Sequence, residues 1–201
     1  MGRSFADFFD GLVHFSEKQL DAHQGSVYGL TSDLHIAYVN PAWDRFAAEN
    51  AGEPAIGRSW NLGASWLDAI PEVLRQFFLD LLASSRAGKD SLHPVSHDYE
   101  CSSDETFRRF HMDVYPLRAD AGYLIVNSLL VEEPHPNACK VSSLNGYADS
   151  DGVIHQCAHC RRVEHQRVPS RWDFIPQWVK SPPQSVSHSI CPICLDHYYQ
   201  A

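Results

Sequence analysis

The stretch VYGLTSDLHIAYVNPAWDRFAAENAG, residues 27–52, sets the plan of the chain. Val27–Thr31 and His35–Val39 are two short apolar runs with Ser32-Asp33 as a polar turn between them, the pattern of a strand pair. Asn40-Pro41 follows at once. Asparagine is a favoured helix N-cap, and proline at the first helical position loses no needed N–H, so a helix opens here. Trp43, Phe46 and Ala47 give that helix an apolar face, and Gly52 stops it.

Before this stretch, residues 4–24 read as one amphipathic helix, with Phe5, Phe8, Phe9, Leu12, Phe15 and Leu20 near helical spacing. Such a stripe needs a cover, and the expected cover is a second copy, making a homodimer. After the stretch, residues 53–70 are loop-rich, with Gly57, Trp60, Gly63 and Trp66. These aromatics are expected either to act as a lid over a guest or to fold inward and fill the space. A longer helix spans Pro71–Arg86, where Leu74, Phe77, Phe78, Leu81 and Leu82 repeat at helical spacing, and Gly88 ends it.

Three strands follow: His93–Cys101, Phe107–Leu117 and Tyr123–Val131. In the second, Phe110, Met112 and Val114 share one face. The third is apolar on both faces, as a central strand is. The order strand–strand–helices–strand–strand–strand is an α+β plan. In the first of the three, His93, His97 and Cys101 alternate onto one face, with His111 on the next strand. They read as solvated, hydrogen-bonded side chains, with a ligand site as the sharper alternative. Residues 133–152, rich in Pro, Ser, Asn and Asp, read as a linker, which sets 25–132 apart from a small module at 153–201.

The formal net charge is −9 over 201 residues, and it is unevenly placed. Residues 1–150 hold 11 Lys and Arg against 21 Asp and Glu, and residues 151–201 hold 5 against 4. So acidic a body repels phosphate backbones, which argues against nucleic acid as a partner. No run approaches eighteen apolar residues, so a membrane span is not expected either. The expected location is the cytoplasm, where thiols stay reduced.

The tail carries CAHC at 157–160 and CPIC at 191–194. Each C-x-x-C is a short loop whose sulfurs converge on one point, and two such loops supply the four thiolates of a tetrahedral zinc site. Cys157, Cys160, Cys191 and Cys194 are therefore the expected ligands of a structural zinc ion. A Cys₃His set using His159 or His188 is the other arrangement the spacing allows; otherwise these histidines donate to the cysteine sulfurs or face solvent. Few aliphatic residues lie in 151–201, too few for a core that folds unaided, so the metal supplies folding free energy. Catalysis at such a zinc is not expected, because four sulfurs leave no open coordination position. Glu164 and His165 are conceivable as an acid and base, with nothing in the sequence to fix them near the metal.

The body, residues 25–132, resembles a PAS sensory domain. The residues that carry the resemblance are Val39-Asn40-Pro41-Ala42, Phe46, Gly52, Gly57-Arg58-Ser59 and the strand ending in Tyr115-Pro116-Leu117. The tail resembles a cysteine-rich segment that follows sensory domains in some bacterial signalling proteins. The resemblance implies a five-stranded antiparallel sheet with helices over one face, and a pocket for a small apolar or aromatic ligand. Its expected lining is Tyr28, Tyr38, Trp43, Phe78, Met112 and Val126. The cysteine of the flavin-binding subgroup and the helix-borne histidine of the haem-binding one are missing here.

Together these readings describe a non-enzymatic sensory or regulatory protein acting through a ligand pocket or an unidentified protein partner. A redox-responsive zinc-thiolate switch is the alternative, and a zinc-dependent enzyme a more distant one.

Overall fold

The computed structural model describes Phe5 and residues 8–50, 59–87, 93–103, 105–135, 144 and 146–199. Gly52, Gly57, Gly88 and Cys139 lie outside them. The fold is α+β. Strands β1 (Val27–Thr31), β2 (Ile36–Val39), β3 (Val95–Glu100), β4 (Thr106–Pro116) and β5 (Gly122–Pro134) form one antiparallel sheet in the order β2-β1-β5-β4-β3. Helices α1 (Glu17–Ala22), α2 (Pro41–Glu49) and α3 (Glu72–Ala87) accompany it. Strands β6 (Ile154–Cys157), β7 (Val163–Glu164), β8 (Trp172–Asp173) and β9 (Val186–Ser189) make a second sheet, in the order β8-β7-β6-β9, alongside α4 (Pro176–Lys180) and α5 (Pro192–Tyr198).

The chain divides into two compact units. The first comprises Met1–Ile70, Phe78–Asp98 and Phe110–Leu129; the second comprises Pro71–Phe77, Tyr99–Arg109 and Leu130–Ala201.

In the first unit, β1 pairs antiparallel with both β2 and β5, with Tyr28 opposite Val39 and Val27 opposite Val126. Asn40 joins the pieces. Its side-chain oxygen accepts from the N–H of Val27 (2.9 Å) and of Trp43 (3.0 Å), the second being the expected helix cap. Its Nδ2 donates to the carbonyls of Leu20 (3.1 Å) and Gly25 (3.0 Å). The side chain is fully buried, so each of these bonds replaces one to water that the site excludes.

The expectation of one helix over residues 4–24 needs correcting. A single 3-10 turn at Phe9–Gly11 is followed by extended backbone at Leu12, and α1 begins only after Ser16. Ser16 and Gln19 form a reciprocal capping box that restarts the helix there. The aromatic stripe covers the protein's own sheet: Phe8 and Leu20 are buried with Val27, Tyr38, Leu124 and Val126, and Phe15 meets Tyr115 edge-on. Gly29 makes room for this. A Cβ there would lie 2.1 Å from the Phe8 ring, so only glycine lets the ring sit on the strand.

The opposite face of the sheet is filled with aromatics. Trp43 meets Tyr28 edge-on at 5.2 Å, Phe46 meets Phe110 at 5.6 Å, and Trp66 meets Phe78 at 5.7 Å. Trp66, on a 3-10 turn at Trp66–Ala69, is buried and donates its indole N–H to the Tyr28 hydroxyl (3.2 Å). It folds inward as core.

In the second unit, Tyr147, Ile154, Val163, Ile175 and Trp178 pack together. Tyr147 falls in the stretch read as a linker, yet it is buried and donates to Asp173 Oδ2 (2.7 Å). Its neighbour Ala148 bridges to Ile154. An isolated tyrosine among polar residues carries no periodic signal, and only the pairing with β6 explains it.

Candidate metal centre

Two local structures present the four cysteines. β6 ends at Cys157, and the chain turns back into β7. The Cys157 N–H donates to the Arg162 carbonyl (2.8 Å), and the Arg161 N–H donates to the Cys157 carbonyl (3.1 Å). Arg161 takes a left-handed conformation, φ 62°, to close this turn. The second pair sits where β9 gives way to α5. Cys191 caps that helix, Pro192 occupies its first turn, and the Cys191 sulfur accepts from the Cys194 N–H (3.5 Å).

β6 and β9 run parallel in register, with Cys157 opposite Ser189, and the Ala158 N–H donates to the Ser189 carbonyl (2.8 Å). This pairing carries both loops to the same end of the small sheet. It joins residues separated by 32 positions, as Cys157 and Ser189 are, and no short-range signal in the sequence specifies it.

The outcome is a compact set of sulfurs. All four cysteines are buried, and their Sγ atoms lie within 4.8 Å of one another, with Cys160 and Cys191 3.7 Å apart. A disulfide requires about 2.05 Å, so these are free thiols. Four sulfurs placed tetrahedrally at about 2.3 Å from a metal stand about 3.8 Å apart, which the cluster matches. Among the described residues, this is the one group of His, Cys, Asp and Glu placed to hold a metal ion.

The electrostatics point the same way. The neighbouring Cys160 foremost, with Cys191 and Cys194, holds the Cys157 thiol below the usual thiol range. Cys157 foremost, and Cys191 after it, push Cys160 up, and Cys157 foremost pushes Cys194 up. A bound divalent cation would let all four ionise. Arg162 stands beside them, its guanidinium 3.2 Å from Glu100 Oε2. Burial opposes its charge, but Cys160 and Glu100 together raise its pKa on balance. It thus supplies positive charge next to a site that four thiolates and one divalent metal would leave negative.

His159 and His188 separate here. His188 is exposed, whereas His159 lies with Nδ1 3.8 Å from the Cys194 sulfur and Nε2 on the Tyr198 hydroxyl. The Cys₃His alternative is not adopted, since all four sulfurs converge. Glu164 and His165 point elsewhere. Glu164 accepts from Gln166, and His165 accepts the N–H of Arg167 and lies against Tyr147. Glu100, Arg162 and Tyr198 escaped the sequence reading because they lie outside both C-x-x-C motifs and reach the site only through the fold.

The expected pocket residues do not line one space. Tyr28, Trp43 and Phe78 belong to the aromatic layer around Trp66, and Met112 shares a strand face with Phe110, which meets Phe46. Tyr38 and Val126 are on the other side of the sheet, where Tyr38 stacks on Phe8 at 5.5 Å and donates to Asp21 (2.8 Å). The side-chain alternation that separates Tyr28 from Tyr38 is set by strand register, which Tyr28 opposite Val39 fixes. His111 lies between Asp98 (2.6 Å) and Asp113 (3.2 Å), and its pKa is raised, first by the hydrogen bond to Asp98. No helix among the described residues is long and apolar enough to cross a membrane.

No protein-family model matches the sequence, and the comparison with curated proteins finds no match.

Proposed function

We propose that this is a non-enzymatic regulatory protein, in which a PAS-like domain serves as a protein-interaction scaffold and a structural zinc ion holds the cysteine-bearing unit folded. The observation that carries the reading is the set of four buried sulfurs within 4.8 Å, presented by two C-x-x-C elements. Four thiolates at that spacing suit zinc, and they close its coordination shell against substrate or water. The five-stranded antiparallel sheet with its helices accords with the PAS resemblance. Trp66, packed inward against Tyr28 and Phe78, favours a protein partner over a small ligand in this domain. Reduced thiols in such a cluster suit the cytoplasm.

Native mass spectrometry of the purified full chain, with X-ray absorption at the zinc edge, tests the proposal. One zinc per chain in an all-sulfur shell, with no stoichiometric small molecule, is the expected result. Nitrogen or water in the shell would overturn the closed site, and a co-purifying flavin, haem or other ligand would overturn the scaffold reading.

The redox switch has one observation in its favour, the 3.7 Å approach of Cys160 and Cys191. Hydrogen peroxide would take two electrons from these two thiolates, giving one disulfide and two hydroxide ions. Two ligands would be lost and the metal released. Zinc release in step with peroxide consumption distinguishes it from a purely structural site.

A further inference from the structure

We infer that His159, held by Tyr198, is a positioning residue that donates a hydrogen bond to the Cys194 thiolate and so governs how tightly the cluster keeps its metal. The inference rests on the metal reading above and assigns a task to residues outside the ligand set.

The direction of the hydrogen bonds follows from the chemistry. His159 Nε2 contacts the Tyr198 hydroxyl, and Nδ1 lies 3.8 Å from Cys194 Sγ, within reach for a bond to sulfur. A metal-bound thiolate has no proton and can only accept. The nitrogen facing it must therefore carry the hydrogen, which makes the neutral ring the Nδ1–H tautomer. Nε2 is then an acceptor, and the phenolic O–H is its donor. Tyr198 is suited to this, because its hydroxyl is an O–H donor in contact with Nε2 and its ring is buried. One direction of donation runs from tyrosine through imidazole to sulfur.

The chain's local structure fixes all three groups. His159 stands between two ligands in the first turn, while Cys194 and Tyr198 are four residues apart on α5 and so share one face of that helix. The Tyr198 ring is buried and meets Phe77 edge-on at 4.8 Å, which limits where its hydroxyl can go. One histidine therefore ties the turn after β6 to the helix that carries the second cysteine pair. Donation to a thiolate draws electron density from the sulfur and stabilises its ionised form, the form that binds metal.

The test uses the full chain loaded with Co(II), whose sulfur-to-metal charge-transfer bands report on the thiolates, and Zn(II) competition against a chromogenic chelator. The wild-type protein must first take up one Co(II) with sulfur-to-cobalt bands; failure to do so sinks the metal reading itself and this inference with it. Given uptake, His159→Phe should weaken metal retention on the order of 10–100-fold, and its charge-transfer band should move to lower energy as the sulfur loses its donor. His159→Asn, whose amide N–H can occupy the place of Nδ1–H, should recover most of the affinity and the band position. Tyr198→Phe should move both readouts the same way by less. If His159→Phe matches wild type in affinity and spectrum, His159 has no such role. If His159→Asn is as weak as His159→Phe with an unmoved band, the ring acts by packing alone. Should His159→Phe fail to fold, the Asn and Tyr198→Phe variants decide on the same criteria.

Discussion

The two units reach stability by different routes. In the first, apolar side chains cover both faces of the sheet. Phe8 and Leu20 lie over Val27 and Tyr38 on one side, and Trp43 and Trp66 meet Tyr28 on the other, with Phe78 against Trp66. In the second, a cluster of Tyr147, Ile154, Val163, Ile175 and Trp178 is accompanied by four buried cysteines that pack with one another and with Tyr198. Apolar burial supplies roughly 25 cal/mol per Å², so a core this small yields little net stability once chain entropy is set against it. Metal–thiolate bonds at the four sulfurs would concentrate the missing free energy at one point. A unit held that way would depend on a ligand, while the other depends only on its own residues.

Removing the metal, or replacing Cys194 with Ser, tests this contrast with the largest effect. Structural zinc contributes about 10–16 kcal/mol of apparent folding free energy in small modules, so residues 154–198 should lose their amide protection from hydrogen exchange. Protection in β1, β2 and the first half of β5 should persist. Loss of protection in both regions together would show one cooperative unit and end the comparison. The converse experiment is Phe8→Ala. It empties the site over Gly29 and should cost the first unit about 3–5 kcal/mol in denaturant unfolding, with chelator-measured metal retention unchanged.

Asn40→Ala removes a helix cap and strands backbone partners of Asn40 that are buried at Leu20 and Val27 and half-buried at Gly25 and Trp43. A loss of about 3 kcal/mol is expected, more than the roughly 1 kcal/mol of an ordinary cap. A loss near 1 kcal/mol would reduce Asn40 to a cap.

The smallest effect is at His111. Asp98 and Asp113 raise its pKa in the folded state, so the protonated ring stabilises the fold at pH below its unfolded pKa, and that stabilisation fades as pH rises through the folded pKa. With the side chain 36% exposed, the contribution should stay under about 1 kcal/mol. His111→Gln should flatten the pH dependence of the first unit's stability between mildly acidic and neutral conditions; an unaltered slope would show the ion pairs to be inert.

Legibility followed the range of the interaction. Asn40-Pro41 announced α2 because capping chemistry acts over three residues, and the repeat from Leu74 to Leu82 announced α3 because a helix face recurs every 3.6 residues. The N-terminal segment misled because its aromatics keep near-helical spacing while their partners, Tyr38, Gly29 and Tyr115, lie on distant strands. Tyr38 and Val126 were grouped with Tyr28 because composition alone does not tell which face of a sheet a residue meets.

By itself, the sequence determined the α+β plan, the strand pair leading into α2, and the four cysteines as one set that could hold a metal ion. Each of these rests on residue type at short spacing, where backbone geometry leaves few options. Only the tertiary structure decided which face each aromatic meets, that Asn40 joins four segments rather than one helix end, and that β9 pairs parallel with β6. It also decided that Tyr198 joins the cysteines and that Glu100 meets Arg162. These are contacts between positions far apart in the chain, and they are fixed by strand register and packing density rather than by local preference.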